Sequence, residues 1–221
     1  DVYKRQHLLK AMMAFRHLLV TEQLAPEKTK TGYLCMEPYK WMFNSCRIPV
    51  AGEDVSTSFD PAAHQHVIVV RNGHFFAVDL VNKMTGKELS VAEIEVQLDR
   101  IMNDSRTQKM ASAPVGAFTA ANRDAWLKNR EALLSGPSAE QNRKALEKIE
   151  SGIIVLALDS GKPVTFDERG VAVYGGDARN RFFDKQQIVV SENGASGYIG
   201  EHSMMDGSQT LRLNNFMVSA L

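Results

Sequence analysis

The chain has 221 residues, and its 44% hydrophobic and 24% charged residues are typical of a folded globular protein rather than a disordered one. Lys and Arg number 26, and Asp and Glu also number 26, so there is no basic excess to attract a nucleic-acid backbone. The longest apolar run, residues 152–158, is far shorter than the roughly 20 residues of a membrane-spanning helix. We therefore predict no nucleic-acid partner and no transmembrane segment.

The N-terminal part of the chain predicts two helices and a loop. Apolar residues recur at helical spacing over residues 7–23, which predicts an amphipathic helix. A short helix is predicted within residues 35–47, with Pro38 near its first turn. Residues 54–65 are predicted as a loop. Residues 1–6 match one frame of a common transposon sequencing adapter, so we predict that they are read-through and exclude them from the fold prediction.

A hairpin and a capped helix follow. The β-rich runs 66–71 and 74–79 are joined by an Asn-Gly dipeptide, whose preference for left-handed backbone favours a type I′ turn. Ser90 and Glu93 have the spacing of a capping box, which predicts that a helix begins there and runs to about residue 103.

The C-terminal part mixes strands with helices. The predicted elements are helices over 122–134 and 138–149, the second opened by a Ser138–Gln141 capping box, strands over 153–158, 186–191 and 195–200, a loop over 170–181, and a last helix over 208–220. Strands and helices do not alternate strictly, which favours an α/β two-layer sandwich of a mixed β-sheet and helices over a doubly wound sheet.

The segment Gly-Glu-His-Ser-Met-Met-Asp-Gly, residues 200–207, directly follows the last predicted strand. A neutral imidazole on His202 can remove a proton from a hydroxyl or thiol near neutral pH. Asp206 lies on the same face if the segment turns helically, where it can orient His202, pair with a basic residue or cap the next helix. Spacing alone favours a packed or exposed histidine over a catalytic base.

Several ordered blocks of sequence resemble the carnitine/choline acyltransferase family. They are residues 34–49, 114–126, 180–185, 188–190, 192–197 and 201–207. The Glu-His-Ser-Met-Met-Asp-Gly block is most similar to fungal-type carnitine acetyltransferases within that family. The resemblance extends through nearly the whole chain after residue 6, and several ordered blocks are far more specific than the histidine motif alone.

The resemblance implies a reaction and a role for His202. As general base, His202 takes the proton from the carnitine hydroxyl, which attacks the thioester of acyl-CoA, and in reverse it deprotonates the CoA thiol. Asp206 supports His202. No cofactor is bound, because CoA or acyl-CoA is a co-substrate. The implied fold resembles chloramphenicol acetyltransferase, in part only.

The resemblance also implies that residues 7–221 are the N-terminal half of a catalytic domain that is cut at both ends. Most substrate-binding residues are then expected beyond Leu221, so the fragment alone is expected to be inactive. The full-length protein is expected to be a monomer in mitochondria or peroxisomes. The open alternatives are a choline acetyltransferase, a medium- or long-chain carnitine acyltransferase, and a non-catalytic interaction module.

Other candidate residues have structural interpretations. His64 and His66 lack an evident third ligand, and the spacing of Cys35 and Cys46 matches no zinc motif, so no metal site is predicted. The glycine-containing stretch 175–181 lacks the Gly-Lys-Ser/Thr ending of a phosphate-binding loop. We predict structural ion pairs and hydrogen bonds for Arg181, Asp184 and Lys185, with Asn180 and Arg181 as candidates to line the cleft.

Overall fold

A computed structural model describes residues 4–174 and 176–221. Helix α1, Lys4–Val20, begins three residues before the helix predicted from residue 7 and buries Leu9, Met12 and Phe15. Residues 4–6 form its first turn, while residues 1–3 lie outside the described part of the chain. The origin of residues 1–6 in a sequencing adapter stays a prediction.

The segment after α1 differs from the prediction. A 3₁₀ turn at Glu37–Trp41 is followed by strands β1, Ser45–Ile48, and β2, Val55–Ser58, which pair antiparallel. The predicted helix over 35–47 and loop over 54–65 are therefore wrong in these strands. Asn44, directly before β1, has a left-handed backbone with φ 51°.

The hairpin and its helix match their predictions. Strands β3, His66–Arg71, and β4, His74–Asp79, pair antiparallel around Asn72 and Gly73, whose φ values are 48° and 74°. Positive φ at both positions is what a type I′ turn requires. Helix α2, Val91–Met102, begins with the predicted reciprocal capping box of Ser90 and Glu93. Local sequence therefore determines both features.

The remaining elements are α3 Arg123–Ser135, α4 Ala139–Ser151, β5 Val155–Asp159, α5 Phe166–Tyr174, β6 Gln187–Ser191, β7 Ser196–Ile199 and α6 Gly207–Ser219. Helix α5 replaces part of the predicted loop 170–181, of which residue 175 lies outside the described residues. Its cause is a capping box that the prediction missed: the Glu168 amide donates to the Thr165 hydroxyl at 3.2 Å, and the Thr165 amide donates to the Glu168 carboxylate at 2.9 Å. The predicted Ser138 box is wrong, because the Ser138 side chain makes no cap hydrogen bond.

Five strands form one mixed sheet in the order β4-β3-β5-β6-β7. Strands β3, β5 and β6 are parallel, and β4 and β7 are antiparallel to their neighbours. Helices α1, α2 and α6 cover one face, where they pack on alternate residues of β3, β5 and β6 such as Val69, Leu156 and Val190. The other face carries a smaller cluster that includes Cys46 and Ile149. The mixed α/β class is confirmed.

The strand directions position the candidate site. Ile199, at the end of β7, pairs with Gln187, at the start of β6. Residues 200–207 therefore lie at the edge of the sheet where β5 and β6 begin. None of the helices within residues 4–174 and 176–221 is both long enough and apolar enough to cross a membrane.

Candidate active site

His202 lies in the irregular segment between β7 and α6, with its side chain 75% exposed. Its Nε2 atom is 3.5 Å from Oδ1 of Asp206, whose side chain is 85% exposed. The structure thus brings together the two residues that the sequence singled out. An exposed imidazole beside a carboxylate is open to a substrate from outside the domain and can exchange protons with it.

Asp206 also begins α6. Its Oδ1 atom accepts a hydrogen bond from the Gly207 amide at 2.6 Å, and its own amide donates to Oε1 of Gln209 at 3.2 Å. This reciprocal pattern satisfies amide groups that the first turn of a helix leaves without partners. The capping role is therefore present in the structure, and the cap holds the carboxylate at the histidine.

A clamp on the peptide before His202 was not foreseen from the sequence. The Gln186 side chain donates to the Glu201 carbonyl at 2.9 Å and accepts from the Glu201 amide at 3.2 Å. The same oxygen of Gln186 accepts from the Tyr198 hydroxyl at 2.8 Å. Burial raises the pKa of Tyr198, so this hydroxyl stays a donor. The Gln186 side chain thus bonds the Glu201 backbone just beyond the last β6–β7 pair and fixes the backbone next to His202.

The Glu201 side chain has partners other than His202. Its carboxylate accepts from the Ser203 hydroxyl at 2.7 Å and lies 3.4 Å from Nη1 of Arg47 on β1. The Ser203 hydroxyl is also 3.2 Å from that of Ser56 on β2. Both neighbours of His202 are therefore held by the protein, while the imidazole itself is exposed.

Beneath this segment lies a buried ion-pair network around Asp184. The Asp184 carboxylate accepts from Nη1 of Arg123 at 2.6 Å and from Nε1 of Trp126 at 2.8 Å, and Nε of Arg47 is 3.8 Å away. Asp54 pairs with both Arg123 and Arg47, at 2.5 and 3.3 Å. Burial raises the pKa of Asp184, and the hydrogen bonds from Arg123 and Trp126 oppose that effect. The predicted structural ion pair of Asp184 is confirmed.

Arg181 and Asn180 do not lie beside His202. Arg181 makes a two-pronged ion pair with Asp159, at 2.8 and 2.7 Å, and Asn180 donates to the same carboxylate at 2.8 Å. Asp159 ends β5, so this buried group lies at the edge of the sheet opposite His202. The ion pair predicted for Arg181 is confirmed, but the structure gives neither residue a place in the cleft at His202.

Lys185 is 1% exposed and makes no ion pair within the described residues. Its Nζ atom donates to the Ser45 and Glu150 carbonyls, at 2.6 and 2.7 Å. Burial lowers the pKa of Lys185 from 10.5 to about 8. The prediction of a structural role holds through hydrogen bonds rather than through an ion pair.

The buried Lys185 makes stability depend on pH. Between about pH 8 and 10.5 the unfolded chain binds this proton and the folded chain does not, so the free energy of unfolding rises with pH, by up to about 3 kcal/mol. The raised pKa values of Cys46 and Tyr198 act in the opposite direction above pH 9 and 10. Urea unfolding at several pH values measures this effect. The contribution of Lys185 is the difference in the pH dependence of the free energy of unfolding between wild type and Lys185→Met.

The control is Lys144→Met, because the Lys144 side chain is 74% exposed. We expect Lys144→Met to follow the wild-type pH dependence and Lys185→Met to lose the rise. Parallel curves for wild type and Lys185→Met would contradict the titration assigned to Lys185.

No group of three or more His, Cys, Asp or Glu side chains within residues 4–174 and 176–221 is arranged to hold a metal ion. The ring of His66 is engaged by the Lys148 carbonyl at 2.8 Å, and the centroids of the His64 and His66 rings are 6.2 Å apart. Both histidines therefore contact other groups of the protein, as residues with a structural role do.

The sequence model of the choline/carnitine O-acyltransferase family matches residues 3–221. The chain belongs to this family. A mitochondrial carnitine O-acetyltransferase from Saccharomyces cerevisiae is 30% identical over 222 residues, which cover 99% of this chain and 33% of that protein. Carnitine O-palmitoyltransferase 2 from Rattus norvegicus is 32% identical over 183 residues, which cover 82% of this chain and 26% of that protein.

A highly reducing polyketide synthase from Aspergillus luteorubrus is also similar, with 33% identity over 216 residues that cover 97% of this chain and 6% of the synthase. The chain thus spans a third or less of the length of these three relatives. Membership of this family confirms the resemblance that the sequence blocks indicated. Identity to the acetyl and palmitoyl enzymes is nearly equal, so it does not separate the two acyl chain lengths.

Proposed function

We propose that the full-length protein containing this chain transfers an acetyl group reversibly between CoA and carnitine, with His202 as general base. The observation that carries the proposal is the position of His202 within a family of acyltransferases: an exposed imidazole, held from behind by the clamp on Glu201 and paired with Asp206 at 3.5 Å. No other histidine of the sequence lies in a block that resembles the family's central signature.

The reaction needs one proton carrier that serves both directions. His202 removes the proton from the carnitine hydroxyl, and the oxygen attacks the carbonyl carbon of the acyl-CoA thioester. The carbon–sulfur bond breaks, and the CoA thiolate takes the proton from His202. No covalent acyl-enzyme is required, so positioning of the two substrates and proton transfer supply the rate, the latter typically about 10²–10⁴-fold.

Asp206 is proposed to support His202. Its carboxylate balances the positive charge that the imidazole acquires when it takes the proton, and the α6 cap fixes its position. Asp206 takes no proton and forms no bond to the substrate, so it acts only by positioning the imidazole of His202.

The remainder of the site is proposed to lie outside this chain. The chain spans a third or less of three of its relatives, and an imidazole exposed on one side needs a second wall to exclude water. Residues 1–221 alone are accordingly proposed to be inactive. The organelle is proposed to be the mitochondrion or the peroxisome, since two of these relatives have mitochondrial names.

A matrix of donors and acceptors tests the proposal. The natural full-length protein would be assayed for CoA release from acetyl-, octanoyl- and palmitoyl-CoA, each with carnitine or with choline. We expect the highest kcat/KM for acetyl-CoA with carnitine. Flat, background activity with every pair would refute acyl transfer altogether.

A longer acyl chain is the second candidate, favoured by the 32% identity to carnitine O-palmitoyltransferase 2. In the same set of assays, a higher kcat/KM for octanoyl- or palmitoyl-CoA than for acetyl-CoA would favour this candidate. A higher kcat/KM with choline than with carnitine would identify choline as the acceptor. Both outcomes leave the role of His202 in place.

A further inference from the structure

A cleft of about 630 Å³ opens between the C-terminal end of α1, the 3₁₀ turn at Glu37–Trp41 and the residues after β2. Most of its lining is apolar and includes Leu18, Leu19, Phe43 and Phe59. Neither His202 nor Asp206 contributes to it. Clefts of this size with an apolar lining and a few fixed polar groups are the usual form of small-molecule sites.

The buried charged group in the wall of the cleft is Arg16, which is 8% exposed. Its Nε and Nη2 atoms donate to Oδ1 of Asn44 at 3.3 and 3.2 Å, and Nη2 also donates to the Pro61 carbonyl at 2.6 Å. Burial lowers the pKa of Arg16, and the charge of Glu88 opposes that effect. Within the described residues, no carboxylate lies at salt-bridge distance from Arg16, and Nη1 makes no hydrogen bond. A buried guanidinium stays charged, and without a counter-ion its burial is costly.

Asn44 fixes the orientation of this guanidinium. Its side-chain amide donates to the His64 and Ser151 carbonyls at 2.9 and 3.0 Å, so its oxygen is left for Arg16. Its left-handed backbone, at φ 51°, is one that asparagine tolerates better than most residues.

We propose that this cleft binds an amphipathic monocarboxylate, such as a medium-chain fatty acid. The carboxylate of the ligand accepts a hydrogen bond from Nη1 of Arg16 and provides the salt-bridge partner that this guanidinium lacks. The hydrocarbon chain lies along the leucine and phenylalanine side chains. At the rim, Glu37 is paired with Lys40 and Glu22 is exposed, so water screens their repulsion of the anion. The inference does not depend on the proposed acyl transfer.

Three probes with the same ten-carbon chain separate charge from hydrophobicity. Decanoate, decanol and decyltrimethylammonium would each be titrated calorimetrically into the natural full-length protein. We expect one decanoate per chain, bound at least about tenfold more tightly than decanol. Equal affinity for decanoate and decanol, tighter binding of the cation, or no decanoate binding at millimolar concentration would overturn the proposal.

Variants locate the site. Arg16→Gln is expected to weaken decanoate binding roughly ten- to a hundred-fold, because it removes a charge-assisted hydrogen bond. The control Lys40→Gln removes a rim cation and is expected to change decanoate affinity little. A loss in Lys40→Gln as large as that in Arg16→Gln would contradict the assigned role of Arg16.

A second pair of variants covers the case in which Arg16→Gln fails to fold. Val20 lines the cleft but is 54% exposed, so charged substitutions there are expected to be tolerated. Val20→Glu should lower decanoate affinity by repulsion, and Val20→Lys should not. Identical affinities in these two variants would place the carboxylate elsewhere and reject the site.

Discussion

Replacement of Asp184 by alanine is expected to lower the free energy of unfolding by about 3–5 kcal/mol, the cost of removing one partner from a buried ion pair. Asp184 is 1% exposed and is the acceptor for Arg123 and Trp126. Its loss leaves Arg123 with Asp54 alone and Arg47 with Asp54 and Glu201. Urea unfolding of the 221-residue chain at pH 7 measures the effect.

Two further variants show whether charge or size is responsible. Asp184→Asn keeps the side-chain volume and removes the charge, so it should lose most of the same stability. Asp177→Ala is the control, because Asp177 pairs with Arg179 at an exposed site, where ion pairs contribute less than about 1 kcal/mol. Near-wild-type stability of Asp184→Asn would contradict the electrostatic explanation.

Features that depend on a few neighbouring residues were predictable. The Asn72-Gly73 turn follows from backbone preference, and the α2 start follows from one reciprocal pair of hydrogen bonds between Ser90 and Glu93. The start of α5 belongs to the same class, since the Thr165–Glu168 spacing is a capping box. That signal was present in the sequence, but the glycine and charged residues that follow it favoured a loop.

Features that depend on distant contacts were not predictable. Asn44, directly before β1, is held by its side-chain amide, which donates to carbonyls 20 and 107 residues away along the chain. Helical spacing over 35–47 carries no information about those partners. The Ser138–Gln141 spacing fails for a different reason: the Ser138 backbone, at φ −99° and ψ 17°, is not in the extended conformation typical of an N-cap.

The candidate site likewise has a part that was predictable from local sequence and a part that depends on distant contacts. His202 and Asp206 could be found from their sequence block, and their proximity follows from a spacing of four residues. The Gln186 clamp joins β6 to residue 201 across the sheet edge, so it becomes visible only when β6 and β7 are paired. The cluster of Arg47, Asp54 and Asp184 likewise draws on three separate segments.

The second large effect concerns His202. Replacement of His202 by alanine removes the proposed proton acceptor and leaves the clamp on the Glu201 backbone untouched. In the natural full-length protein, kcat/KM for acetyl-CoA and carnitine is expected to fall by roughly 10²–10⁴-fold, the usual contribution of a general base. Since His202 is 75% exposed, the variant should unfold at the same urea concentration as wild type.

His17→Ala is the matched control, because His17 is also exposed but lies on α1. The most direct test of His202 as general base is therefore the acetyl-transfer rate of three full-length proteins: wild type, His202→Ala and His17→Ala. We expect wild-type turnover in His17→Ala and a loss of at least about a hundredfold in His202→Ala. Unchanged turnover in His202→Ala would contradict the role of His202 as the general base.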